Sequence, residues 1–149
     1  MEAFEVRIVE TDETPTAVIR TSTSWDEYPA LWPKLLERVW SVVRERGVPA
    51  GRNVMRYLDD VPRVEVGVEL EGACDGLGEL ELSSLPAGRA ATTVIVGQLT
   101  AERIALAHAA IHRYCGGNGI SLAGERWEVY GHQRGDPAAI ETAVYWPVS

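Results

Sequence analysis

The chain has 149 residues, 14 basic against 22 acidic side chains and a formal net charge of −8. Phosphate contacts need a cationic face, so this balance opposes nucleic-acid binding and favours cationic small molecules or a basic protein surface. No apolar run approaches the roughly 20 residues that span a bilayer, acidic Glu2 and Glu5 stand where a signal peptide would be basic, and Cys74 and Cys115 are too few for a disulfide framework, so a single cytoplasmic domain over 1–149 is expected.

Residues 4–9 alternate, with Phe4, Val6 and Ile8 on one side and Glu5, Arg7 and Val9 on the other, which is the period of a strand. Thr14-Pro15 is expected to break it, and the β-branched run 16–23 predicts a second strand. From Trp25 the period changes. Tyr28, Leu31, Trp32, Leu35, Leu36, Val39, Trp40 and Val43 recur at spacings of three and four, the stripe of an amphipathic helix. Leu35, Val39 and Trp40 are assigned to its core face, and Gly47 stops it. Prolines at 29 and 33 predict an irregular entry turn over 25–32, with a shift of axis near Pro33.

Residues 52–58 and 64–70 read as a hairpin around the turn Asp59-Asp60-Val61-Pro62. The glycine-bearing, acidic segment 71–77 reads as a linker, and the second half of the chain repeats the first. Strands are expected at 78–85 and 90–96, and Thr100 is placed to cap a helix carrying Ile104, Ala107, His108, Ile111 and Tyr114. The glycine run at 116–119 ends that helix, and a last hairpin is expected over 125–132 and 138–146. Laying Tyr57 on Tyr130 also lays Ala17 on Ala90 and Arg52 on Glu125. The fold class expected is α+β: two ββαββ repeats, about 4–70 and 78–148, related by a pseudo-two-fold axis. They would give antiparallel sheet, two long helices and a central cleft, a common place for a ligand.

The stretch Gly124-Glu125-Arg126-Trp127-Glu128-Val129-Tyr130 puts one carboxylate inside a strand of apolar and aromatic character. Alternation groups Arg126, Glu128 and Tyr130 on one face and Trp127 and Val129 on the other. Trp127 and Val129 are expected to pack under the helices, leaving Glu128 and Tyr130 to the cleft. A buried carboxylate needs a partner. An internal salt bridge to Arg126, Arg56 or Arg20 is the structural alternative to a cationic ligand. In the repeat, Met55 occupies the place of Glu128. His108, His112 and Cys115 have ligand-capable spacing for zinc on one helix face, but a satisfied or solvated helix face is the plainer reading, and neither metal nor cofactor is expected.

The order of elements, the two-fold repeat, the Gly-Glu-Arg-Trp-Glu-Val-Tyr stretch and the closing Glu141-Thr142-Ala143-Val144-Tyr145-Trp146-Pro147-Val148 together resemble the GyrI-like small-molecule-binding domain, also found as the effector-binding part of AraC-type and MerR-type multidrug-responsive regulators. The resemblance runs from about Phe4 to Val148. It implies that Glu128 projects into an aromatic pocket and pairs with cationic, lipophilic ligands, with Tyr130 beside it, so the expected ligand is a cationic or amphipathic aromatic small molecule. The family's first helix is entered through a Gly-Pro-Tyr-like turn, where this chain has Thr23-Ser24-Trp25; its counterpart Gly97-Gln98-Leu99 keeps the glycine and replaces the aromatic by Leu99. Trp25, Tyr28, Trp32, Met55 and Tyr57 are the further ligand-binding candidates. The regulators carry a helix-turn-helix domain ahead of this one, and with no room for it before Phe4 a stand-alone member without direct nucleic-acid or membrane binding is implied. Two alternatives remain: a hydrolase of strained electrophilic ligands using Glu128 and Tyr130, as reported for some members, and an acidic protein-interaction module of the gyrase-inhibitor type acting on a basic protein partner.

Overall fold

The computed structural model describes residues 3–74, 76–131 and 139–149. In chain order its elements are β1 (Arg7–Thr11), β2 (Thr14–Ser22), α1 (Tyr28–Arg46), β3 (Ala50–Tyr57), β4 (Arg63–Leu70), β5 (Glu81–Leu85), β6 (Gly88–Val96), α2 (Ala101–Gly117), β7 (Arg126–Tyr130) and β8 (Glu141–Pro147). The fold class is α+β, and the strand pairs are antiparallel. The turn-side ends of the last expected hairpin, His132 and Ala138, lie outside the described residues. No helix among the described residues is long and apolar enough to cross a membrane.

Two compact units result, one formed by Asp12–Ala87 and the other by the residues up to Thr11 together with Gly88–Ser149. In the first, strands run in the order β3, β4, β2, β5. Helix α1 covers one face, where Val39, Val42 and Val43 meet Ala17 and Val68. In the second the order is β1, β6, β8, β7, and Ala107, Ile111 and Cys115 of α2 meet Ala91, Ile95, Val144 and Trp146. Burial among these apolar groups pushes the Cys115 thiol above its ordinary range. The segment 71–77 belongs to the first unit, and Cys74 and Leu77 pack against its core. Glycines and acids make that stretch read as a joint, whereas Cys74 and Leu77 anchor it.

Several boundaries move from their expected places for local reasons. Pro15 lies inside β2 instead of ending β1. It pairs only toward β5, because the ladder with β4 begins at Thr16, so its missing N–H interrupts nothing there. Helix α1 is regular from Tyr28, earlier than its prolines suggest: Pro29 lies in the first turn, where an N–H would have no helical acceptor, while Pro33 is carried within the helix. Ser24 sets the entry, accepting at its carbonyl from the Tyr28 N–H at 2.9 Å and at Oγ from Glu27 N–H at 3.2 Å. Leu35 and Val39 are core, and Trp40, half-buried, packs against the core beneath α1 while donating its indole N–H to Asn53 Oδ1 at 2.8 Å. Gly47 closes α1 with φ 65°, and Thr100 caps α2 by accepting from the Arg103 N–H.

The β3–β4 turn is organised by Asp59, whose carboxylate accepts from Arg63 N–H at 2.9 Å, Arg63 Nε–H at 2.5 Å and Val61 N–H at 3.0 Å. The Arg63 amide first, then its guanidinium, hold the Asp59 pKa down at about 2 against an ordinary 3.8. A depressed folded-state pKa adds stability that is complete above the unfolded value and fades as pH falls through the folded one. The stability difference between the wild type and Asp59→Ala is therefore expected to be full above about pH 4 and to close toward pH 2. Urea unfolding across that range measures it, and a pH-independent difference would refute it.

Candidate functional site

Glu128 is 2% exposed and stands opposite Val144 in the β7–β8 ladder. Val144 packs beneath α2, and residues directly opposite share a face, so the face bearing Glu128 is the one that meets the helix. This reverses the expected assignment, which packs Trp127 and Val129 there. Those two lie on the other face, where Trp127 stacks on Tyr145 with centroids 5.6 Å apart. Both faces of β7 are buried, so the polarity of its side chains does not distinguish them.

Under α2 the carboxylate meets a phenol and an imidazole. Tyr130 donates its hydroxyl to Oε1 at 2.5 Å, and Oε2 lies 2.7 Å from His108 Nε2. The other ring nitrogen of His108, Nδ1, accepts the Trp146 indole N–H at 2.8 Å. The Arg126 guanidinium carbon is 4.9 Å from the centroid of that indole, within cation–π range. The His112 ring lies 4.4 Å from Trp146 at 76°, and Arg126 also donates to Gly124 O at 2.9 Å. Neither His112 nor Cys115 turns toward the carboxylate with His108: one leans on the indole and the other is buried in the core.

An internal partner of Glu128 is thus His108, which the sequence reading does not name. Two of the arginines that the sequence suggests, Arg20 and Arg56, serve a different carboxylate, that of Glu65. Of the satisfied or solvated helix face expected at His108, the satisfied form is found, with both ring nitrogens hydrogen-bonded to buried strand residues. The sequence does carry one signal for it, a histidine on the helix of the same half as Glu128, but linking the two requires the facing of β7.

In the Asp12–Ala87 unit, Trp25, Tyr28 and Tyr57 form a three-ring cluster, with centroids 6.3, 5.5 and 5.4 Å apart for Trp25–Tyr28, Trp25–Tyr57 and Tyr28–Tyr57. The Trp25 indole donates to Asp60 O at 3.1 Å. Met55 is buried in β3 beside Val66 of β4. Trp32, half-buried on α1, is outside the ring cluster.

The model of the GyrI-like small molecule binding domain matches residues 4–149. The chain belongs to that family. Its fold is shared by other proteins at low identity. The C-terminal domain of EcmrR superposes with a TM-score of 0.75 at 18% identity, covering 99% of both chains. SAV2435, solved with bound tetraphenylphosphonium, gives 0.63 at 13% identity, covering 97% of the present GyrI-like domain and 94% of its own chain. A hydrolase encoded by lin2189 from Listeria innocua gives 0.62 at 10%, covering 97% and 92%. Comparison with curated proteins finds no match.

Proposed function

We propose that this GyrI-like domain binds lipophilic cations in the cytoplasm, with Glu128 as the charge anchor and Tyr130 beside it. The observation that carries the reading is a carboxylate 2% exposed whose two oxygens accept from a phenol and an imidazole within a group of aromatic rings. Those bonds satisfy oxygen lone pairs and orient the group, and a carboxylate out of water attracts a cation far more strongly than an exposed one does. The bound tetraphenylphosphonium of SAV2435 supplies a suitable probe. In the Asp12–Ala87 unit the rings of Trp25, Tyr28 and Tyr57 are proposed as an aromatic contact surface for the same ligand class, each facing ring adding about 0.5–2 kcal/mol against a cation. Met55 and Trp32 are proposed as its apolar margin. Calorimetric titration with tetraphenylphosphonium tests the anchor. Glu128→Gln is expected to weaken binding by about 2 kcal/mol, some thirtyfold in Kd, and equal affinity would sink the reading.

A second reading is hydrolysis of strained electrophilic ligands. It is favoured by the direct Tyr130–Glu128 hydrogen bond, which joins a candidate acid to a candidate base. Turnover of a cyclopropane-bearing electrophile, abolished in Glu128→Gln, would separate it from simple binding. The acidic-module reading gains no such support. Glu65 is buried among Arg20, Arg56 and Ser83, and Glu69 is held by Arg52, so neither offers a simple acidic surface.

A further inference from the structure

The chain of hydrogen bonds through His108 fixes where its proton lies. An indole N–H can only donate, and that of Trp146 points at His108 Nδ1 from 2.8 Å. Nδ1 therefore presents a lone pair, and the proton of the ring is on Nε2, directed at Glu128 Oε2 2.7 Å away. An imidazolium carries N–H groups on both nitrogens and would set one of them against the indole N–H. The indole is itself held, by Arg126 at 4.9 Å from its centroid and by the His112 ring at 4.4 Å. Trp146 is buried in the same core as Ile111 and Val144, which leaves it little freedom to turn its N–H elsewhere.

We propose that Trp146 and His108 are positioning residues for Glu128: the indole locks His108 as the neutral, Nε2-protonated imidazole, which orients the carboxylate by a hydrogen bond without itself adding a positive charge beside it. The inference rests on the reading of Glu128 as a cation anchor. A positively charged ring 2.7 Å from Oε2 would be a built-in counter-ion competing with the ligand. The tautomer lock removes that competitor while keeping the bond that holds the carboxylate. The charged and titratable groups around the ring include Glu128 and, through it, Tyr130 on β7, Arg126 over the indole, and His112 one turn along α2. The ligand class served is a lipophilic monocation without N–H donors, for which attraction to the carboxylate charge matters more than hydrogen-bond geometry.

Nitrogen-15 spectra of the imidazoles test the lock in the wild type, with no variant and no ligand. His108 is expected to show a protonated Nε2 and a bare Nδ1, and a proton on Nδ1 overturns the proposal. Tetraphenylphosphonium titration then tests its consequence. Trp146→Phe keeps a ring and removes the donor, and is expected to lose the single-tautomer signature and weaken binding about tenfold or more. His108→Gln can accept from Trp146 and donate to Glu128 while remaining neutral, so it should bind within about threefold of the wild type. His108→Leu should bind as weakly as Trp146→Phe. A folded His108→Gln as weak as His108→Leu overturns the relay, as does wild-type affinity in Trp146→Phe when Glu128→Gln binds weakly. Wild-type affinity in Glu128→Gln instead overturns the anchor reading, and the spectrum of His108 still decides the lock.

Discussion

Gly67→Ala is expected to lower the stability of the protein by about 3 kcal/mol or more, a large part of the roughly 5–15 kcal/mol that holds a domain folded. Gly67 lies in the middle of β4, opposite Val18 of β2 and Val54 of β3. A Cβ there would stand 2.0 Å from the Ala17 carbonyl oxygen and 2.7 Å from Val18 Cα. These are backbone atoms of a strand paired on both sides, by β4 and by β5, so no side chain can swing away to make room. The cause is the close approach of two backbones, since Gly67 is not among the glycines of positive φ. Gly116→Ala is the control. A Cβ at Gly116 in α2 meets nothing within 4 Å, and alanine is the better helix former. Urea unfolding should show a much lower midpoint for Gly67→Ala and an unchanged or higher one for Gly116→Ala. Equal midpoints for Gly67→Ala and the wild type would show that β2 and β4 separate more easily than their pairing implies.

Glu65→Ala is expected to cost about 3–5 kcal/mol, the range for breaking a buried ion pair from one side. Glu65 is 1% exposed. Its carboxylate accepts from Arg20 Nε–H at 2.8 Å, Arg56 Nη1–H at 3.1 Å and Ser83 Oγ–H at 2.9 Å. Three strands meet at this one side chain, because Arg20 is on β2, Arg56 on β3 and Ser83 on β5. Removing the carboxylate leaves the Arg56 guanidinium, whose side chain is 14% exposed, beside the gap. Glu65→Gln keeps one acceptor oxygen and should fall between alanine and the wild type. Glu79→Ala, which removes a bond to Arg38 between two exposed side chains, should leave the urea midpoint nearly unchanged, as surface pairs generally do. If Glu65→Ala and Glu79→Ala shift the midpoint equally, the buried cluster is not the joint between strands that its geometry indicates.

The elements whose residues carry strong local signals are legible from sequence. Strict alternation marks β4, a three-and-four stripe marks α1, and Gly47 and Thr100 mark a helix end and a helix start. Alternation also groups Arg126, Glu128 and Tyr130 correctly. It does not say which face of β7 meets the helix, because a two-residue period defines two faces without assigning either to a neighbour. Trp127 and Val129 are the more apolar pair and so point toward the core, yet the whole strand is covered on both sides. That inversion hides His108. Its tie to Glu128 depends on the β7–β8 register and on the placement of α2, both tertiary facts. Glu65 is hidden for a related reason. Among Val64, Val66 and Val68 it reads as the solvated half of an alternating strand, and only the register that sets it against Arg20 and Arg56 reveals a buried cluster.

The pairing of β1 with β6 carries a consequence for synthesis on the ribosome. Strands β2 to β5 and helix α1 are contiguous within Asp12–Ala87, so that unit can complete its ladders as it emerges. Strand β1 cannot. Its partner residues, Gly88 to Thr92, are made much later, and so is Thr93, whose hydroxyl donates to Glu5 O across 88 positions. During translation the segment up to Thr11 is therefore a waiting edge, open to whatever chaperone or neighbouring strand arrives first. Its charged residues Glu5, Arg7 and Glu10 are of the kind that discourages edge-to-edge pairing.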